Sequence, residues 1–286
     1  MADPAGDIRL PELRLPSAST GYLDSFDWRA GETLLSHAVR FGIRATEERA
    51  VPHFLAVLPA GWKRSSVRTV DRLYSCVVGG SPSEPHLLYD NEREIGSTAD
   101  LEEIAERFQA FLHIHIAEHS PNRTFLHAGA VGWRGRAIVL PGRSGAGKTT
   151  LTAELVRAGA SYLSDDFAPI DGRGRVHPFP KLLAVRENGE TRELPAEAFG
   201  GRQSRLPLPV GLVVLSSYAE GRGFRPRSLS PGRAVIELLK TTASARRQPA
   251  RAFDRLSNLV QQAPVLRGVR GEAAEAAEAI LERSDV

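Results

Sequence analysis

The chain has 286 residues, 42% of them apolar and 25% charged, with a net charge of +3 and a single cysteine. That composition fits one large or two modest soluble domains, each with its own core. The small net charge gives no pointer to nucleic acid, and one cysteine excludes an internal disulfide, so a reducing, cytoplasmic setting is expected.

No apolar run reaches the ~18 residues of a membrane span. Residues 1–20 lack the basic start and apolar core of a secretory signal. Their Pro, Ser and Gly suggest a loosely ordered arm. From 21 to about 97 the pattern is short strands and turns. "SVRTVDRLYSCVVGG" is rich in β-branched and aromatic residues, and Asp90-Asn91 marks a turn in "HLLYDNEREIG". Cys76 lies within the first of these strands and reads as a small core hydrophobe. Residues 97–120 carry the clearest helix. Ser97 or Thr98 is expected to cap it, with Asp100, Glu102 and Glu103 in its first turn. Leu101, Ile104, Ala105, Phe108, Leu112 and His115 recur on one face. His115 and His119 have the i, i+4 spacing of a metal pair, but neither His113 nor any other residue offers a third ligand.

From Thr124 the order is strand, turn, strand, as "TFLHAGAVGW", "RG", "RAIVLPG". Gly142-Arg143-Ser144-Gly145-Ala146-Gly147-Lys148-Thr149 then fits G-x-x-x-x-G-K-[ST] at every fixed position. Glycines let backbone N–H groups approach phosphate oxygens, Lys148 carries charge to the β- and γ-phosphates, and the Thr149 hydroxyl suits Mg²⁺. The helix "KTTLTAELVRAGA", with Thr150 in its first turn and Gly159 at its end, aims its positive pole at the anion. "SYLSDDFAPID" reads as the next strand and "DGRGRV" as a hairpin turn. Later segments read as a strand at 209–218, helices at 230–244 and 249–263, a strand at 264–271 and a helix at 272–284. Strands mixed with helices mean an α/β architecture. Two adjacent acids, Asp165 and Asp166, stand on the strand after the loop. Near a nucleotide, one acid suits Mg²⁺ and the other suits the proton of an acceptor hydroxyl. A solvated turn is the plainer alternative, as a satisfied strand histidine is for His127.

"FLHAGAV…GRSGAGKTTLTAELVRAGASYLSDD" resembles the HPr kinase/phosphorylase family, over about residues 124–180. The family has a His-bearing strand, a phosphate loop and an Asp-Asp pair at similar intervals. The chain looks closer to the divergent HPr-kinase-like proteins of bacterial peptide-modification systems. The loop is also similar to that of ATP-dependent phosphoenolpyruvate carboxykinases. The resemblance implies a P-loop kinase domain of HPr kinase/phosphoenolpyruvate carboxykinase type at 124–286; the residues at 21–123 read as a smaller N-terminal α/β domain, for which acceptor recruitment is one role. It implies ATP and Mg²⁺ as cofactors and an acceptor protein or peptide carrying a serine. It further implies Asp165 as the base, Asp166 at the metal, His127 in the active site, and a homo-oligomer. A small-molecule acceptor and a non-catalytic nucleotide switch are the alternatives. Lys181 and Arg186 either return to the phosphates or are surface cations. Arg246, Arg247, Arg251 and Arg255 either dock an acidic acceptor or form a solvated helix face.

Overall fold

The computed structural model describes residues 21–81, 83–143, 145–187 and 190–284. The expected arm at 1–20 and the loop residue Ser144 lie outside them. The protein is a mixed α/β chain of two compact units that divide at Ile116/Ala117. Among the described residues no helix is long and apolar enough to cross a membrane.

The first unit contains β1 (Ala30–Ser36), β2 (Val39–Ala45), α1 (Val51–Ala56), β3 (Lys63–Arg64), β4 (Arg72–Val77), β5 (His86–Asp90), β6 (Arg93–Thr98) and most of α2 (Leu101–His119). The sheet order is β3-β1-β2-β4-β5-β6. The only parallel pair in that order, β2–β4, is the one joined through α1. Asn91 turns the β5–β6 hairpin at φ 53°, a left-handed position that Asn tolerates. The periodic face of α2 is buried. Its Phe108 meets the rings of Phe41, Phe54 and Tyr74 at centroid distances of 6.5, 5.0 and 4.9 Å. The cap differs from expectation: Ser97 and Thr98 belong to β6, and Asp100 Oδ1 accepts the Glu102 N–H at 2.8 Å. Cys76 is fully buried and its thiol is pushed up to about 12 by desolvation, which makes it inert. His115 Nδ1 accepts from Arg72 Nε at 3.3 Å, and no cluster of metal-ligating side chains forms among the described residues.

The second unit follows with β7 (Arg123–Trp133), β8 (Arg136–Pro141), α3 (Lys148–Arg157), β9 (Ser161–Ser164), β10 (Phe167–Asp171), β11 (Arg175–Val176), β12 (Leu183–Glu187), β13 (Glu190–Leu194), β14 (Leu208–Tyr218), β15 (Arg227–Ser228), α4 (Pro231–Leu239), α5 (Pro249–Gln262), β16 (Val265–Arg270) and α6 (Ala273–Ser284). The main sheet runs β11-β10-β7-β8-β14-β16-β15, and β9 also pairs β7. Strands β8, β14 and β16 are parallel neighbours, each ending near the loop side. β11 pairs β14 as well as β10, so five strands close into a ring.

Alternation along the strands loads both faces of this sheet. Val131, Ile138, Leu140 and Leu212 pack with α3 and α6 through Leu151, Leu155 and Ile280. Ala128, Ala130, Val139 and Val213 pack on the opposite face with α4 and α5 through Leu238, Leu256 and Leu259. α3 stops where expected. Gly159 is left-handed at φ 101°, and the Gly159 and Ala160 N–H groups return to Val156 and Leu155 carbonyls, a Schellman stop. Leu155 is fully buried between α3 and the sheet. Leu155→Ala should cost about 2–5 kcal/mol, read as a lowered midpoint in urea unfolding with the slope unchanged.

Candidate functional site

The segment that read as one strand, 161–171, is two. β9 and β10 both lie along β7 in antiparallel pairing, and Asp165-Asp166 form the corner between them. The buried Ser164 hydroxyl closes this corner by donating to Phe167 O at 2.5 Å. The Asp166 carbonyl still accepts from the Ala128 N–H at 3.1 Å. The corner therefore stays in the sheet while both carboxylates turn out of it.

On the other edge of β7, β8 delivers the glycine-rich loop. Gly142 N–H donates to His127 O at 3.2 Å, and Ala146 N–H to Arg143 O at 3.2 Å. Gly145 and Gly147 both take positive φ, 80° and 72°, which few other residues adopt without strain. α3 begins at Lys148, so its first N–H groups and its positive pole face the loop. The half-buried Lys148 Nζ donates to Arg143 O at 2.9 Å. Arg143 itself and Thr150 are exposed.

The acids meet this loop from β7's far edge. The Thr149 hydroxyl donates to Asp165 Oδ2 at 2.6 Å. Asp165 Oδ1 and the neighbouring Thr152 Oγ1 are enclosed side by side, and Thr152 favours the charged form of the carboxyl. Gly129 of β7 makes room for them: a Cβ there would stand 2.3 Å from Thr152 Oγ1 and 3.5 Å from Asp165 Oδ1. Enclosure raises the Asp165 carboxyl to about 6, against the opposing pull of Thr149 and Lys148. His127 Nε2 lies 3.6 Å from Asp166 Oδ1, whose side chain is 30% exposed. Burial and Lys148 push the His127 imidazole below its ordinary value despite Asp166, so it is neutral near pH 7. Burial likewise lowers Lys148, while Asp165 and Asp166 hold it up. His127, Lys148, Thr149, Asp165 and Asp166 are thus brought together. Asp165 accepts from the threonine suited to Mg²⁺, and Asp166 lies 3.6 Å from His127.

Arg270 had no sequence signal beyond a cation at a strand end. It ends β16, is 3% exposed, and donates from Nη2 to Gly147 O at 2.9 Å and from Nη1 to Gly271 O at 3.0 Å. The same Gly147 carbonyl accepts the first helical bond from Leu151. Holding that carbonyl outward turns the planar Gly147–Lys148 peptide so that its N–H points the other way. A Cβ on Gly147 would stand 2.3 Å from Arg270 Nη2, so this position requires glycine for space as well as for φ. Lys181 offers its carbonyl to the Tyr162 hydroxyl at 2.8 Å, and its ammonium makes no hydrogen bond or ion pair among the described residues. The Arg186 side chain lies outside the described residues.

A cavity of about 320 Å³ opens beside the loop, lined by Pro141, Gly142 and Ala146 on one side and by Ser216, Lys240 and Arg267 on the other. It lies at the carboxyl ends of parallel β8 and β14, where open α/β sheets bind ligands. The donors at the acids, a hydroxyl and carboxylate oxygens, suit a hard cation such as Mg²⁺ that keeps phosphate and water ligands. No family model matches the chain, and no curated protein matches it.

The raised Asp165 carboxyl has a stability consequence. The folded state binds this proton more tightly than the unfolded chain, so stability contributed by the protonated form is lost as pH rises from about 4 through about 6. Asp165→Asn should therefore melt at higher temperature than wild type at pH 7.5 in the absence of divalent metal, and the gain should vanish near pH 4. An unchanged or lower melting temperature at pH 7.5 contradicts the enclosure argument.

Proposed function

We propose that the second unit is an ATP- and Mg²⁺-dependent kinase of HPr-kinase-like type that phosphorylates a serine hydroxyl on a small protein or peptide. The observation that carries the reading is the 2.6 Å contact from Thr149, at the start of the loop-capped helix, to the Asp165 carboxylate. It joins a phosphate-binding end to a metal-suited acid, with a second acid and a neutral histidine alongside.

In this reading the Gly142–Thr149 backbone, Lys148 and the α3 N-terminus hold the donor's phosphates. Thr149 and Asp165 hold Mg²⁺, which when bound neutralises charge on the β- and γ-phosphates. Asp166 is exposed enough to meet an incoming hydroxyl and takes its proton, while the neutral His127 orients it. The acceptor oxygen forms its bond to the γ-phosphorus, the bond to the β,γ-bridging oxygen breaks, and ADP leaves with that electron pair. Phosphoryl transfer asks mainly for positioning and fixed charge, which this arrangement offers.

The test is transfer from γ-labelled ATP with Mg²⁺ by the full chain in cytosolic extract of its own source. Lys148→Ala and Asp166→Asn should each reduce labelling of a polypeptide at least about 100-fold. Asp165→Asn should instead raise the Mg²⁺ concentration needed by roughly 10–100-fold. Full-rate transfer by Asp166→Asn, with loss only in Asp165→Asn, would return the base role to Asp165. Label confined to a small metabolite, or ATP binding without transfer, would replace the acceptor or the enzyme reading respectively.

A further inference from the structure

An excess of positive charge gathers one strand-length from the proposed site. Asp171, at the end of β10, accepts bonds from Arg175 Nη2 and His177 Nε2, each at 2.9 Å. Burial pushes its carboxyl up, but His177, Arg175 and Arg173 overcome this and hold it at about 2. Arg123 and Arg255 also lie in its field. From α5, Arg251 Nη1 and Arg255 Nη2 converge on one neutral acceptor, Pro121 O, at 3.1 and 3.3 Å. Burial and then Arg251 depress the Arg255 guanidinium. Among the described residues neither Arg251 nor Arg255 bonds a carboxylate, and Arg246 makes no ion pair. Arg247 is paired with Glu118 at 3.2 Å. Asp171 and Glu118 are the acids whose ion pairs with this group of cations are seen among the described residues.

Two connections tie the patch to the site. Arg255 Nη1 reaches Thr124 Oγ1 at 3.5 Å, and Thr124 precedes His127 on β7 by three positions, about 10 Å of extended chain. The segment carrying Arg246 begins at Thr241, whose carbonyl accepts the His127 N–H at 2.7 Å, and Thr242 bridges Leu126. Two like charges converging on one neutral carbonyl favour an anion brought from outside.

We infer that Arg251 and Arg255 form a docking face for an acidic segment of the acceptor polypeptide, about three residues from the hydroxyl presented at Asp166. The inference rests on the kinase reading for its polypeptide partner, and it has its own readout in binding. The probe is a fluorescent peptide with a serine about three residues from a run of glutamates, compared with its glutamine counterpart and with a DNA oligonucleotide of equal charge. Full-length protein should bind the acidic peptide best, more weakly as salt rises. Arg251→Glu/Arg255→Glu should weaken it at least about tenfold with ATP affinity unchanged. Equal binding of both peptides, equal or better binding of DNA, or an unaffected double variant would overturn the inference. Failure of ATP to bind wild type, with peptide binding intact, would instead sink the kinase reading alone.

Discussion

Ala128 of β7 pairs with Pro141 of β8 on one side, and its N–H reaches the Asp166 carbonyl. Within that stretch a single strand locks the glycine-rich loop and the acidic corner at fixed lateral distance, since neighbouring strands lie about 4.8 Å apart. The Thr149–Asp165 contact follows from this register. A slip of one residue would turn every β7 side chain to the other face, moving Gly129 away from Thr152 and Asp165 and His127 away from Asp166. The two apolar faces of the sheet, one under α3 and α6 and the other under α4 and α5, oppose that slip because both are buried.

The site's electrostatics are costly to the fold. An enclosed carboxylate, a half-buried ammonium and a nearly inaccessible guanidinium share one corner of the second unit. Each is partly compensated by a neighbour rather than by water. Arg270 serves two ends at once: it satisfies a helix-start carbonyl and fixes the peptide plane that aims the next N–H.

Much of this corner is legible in the amino-acid sequence. The loop's spacing, the strand before it and the helix after it dictate their own geometry, and Gly159 marks the helix end by its need for positive φ. The hairpin at 171–176 is legible for the same reason, with Gly174 left-handed at its turn. What the sequence hides depends on distant residues. The strand break at Asp165-Asp166 needs Ser164 to fold onto Phe167 O, and β-propensity across 161–171 does not reveal it. Asp100 displaces Ser97 and Thr98 as cap because β6 claims them for its ladder. Arg270 lies 123 positions from Gly147 in sequence, so only the parallel β8-β14-β16 order brings it to the loop.

The ring made by β7, β8, β14, β11 and β10 bears on the protein's behaviour at high concentration. Unpaired strand edges recruit other chains. Here β11 seals one flank by pairing two strands, and β9 meets bridges from Gln203 and Phe179 on its outer side. The opposite flank ends in β15, only two residues long. Little ladder is therefore left on this sheet for a second molecule to extend. Edge-to-edge extension of this main sheet is limited by its topology, whereas the separate two-stranded β12–β13 sheet keeps its outer edges unpaired among the described residues.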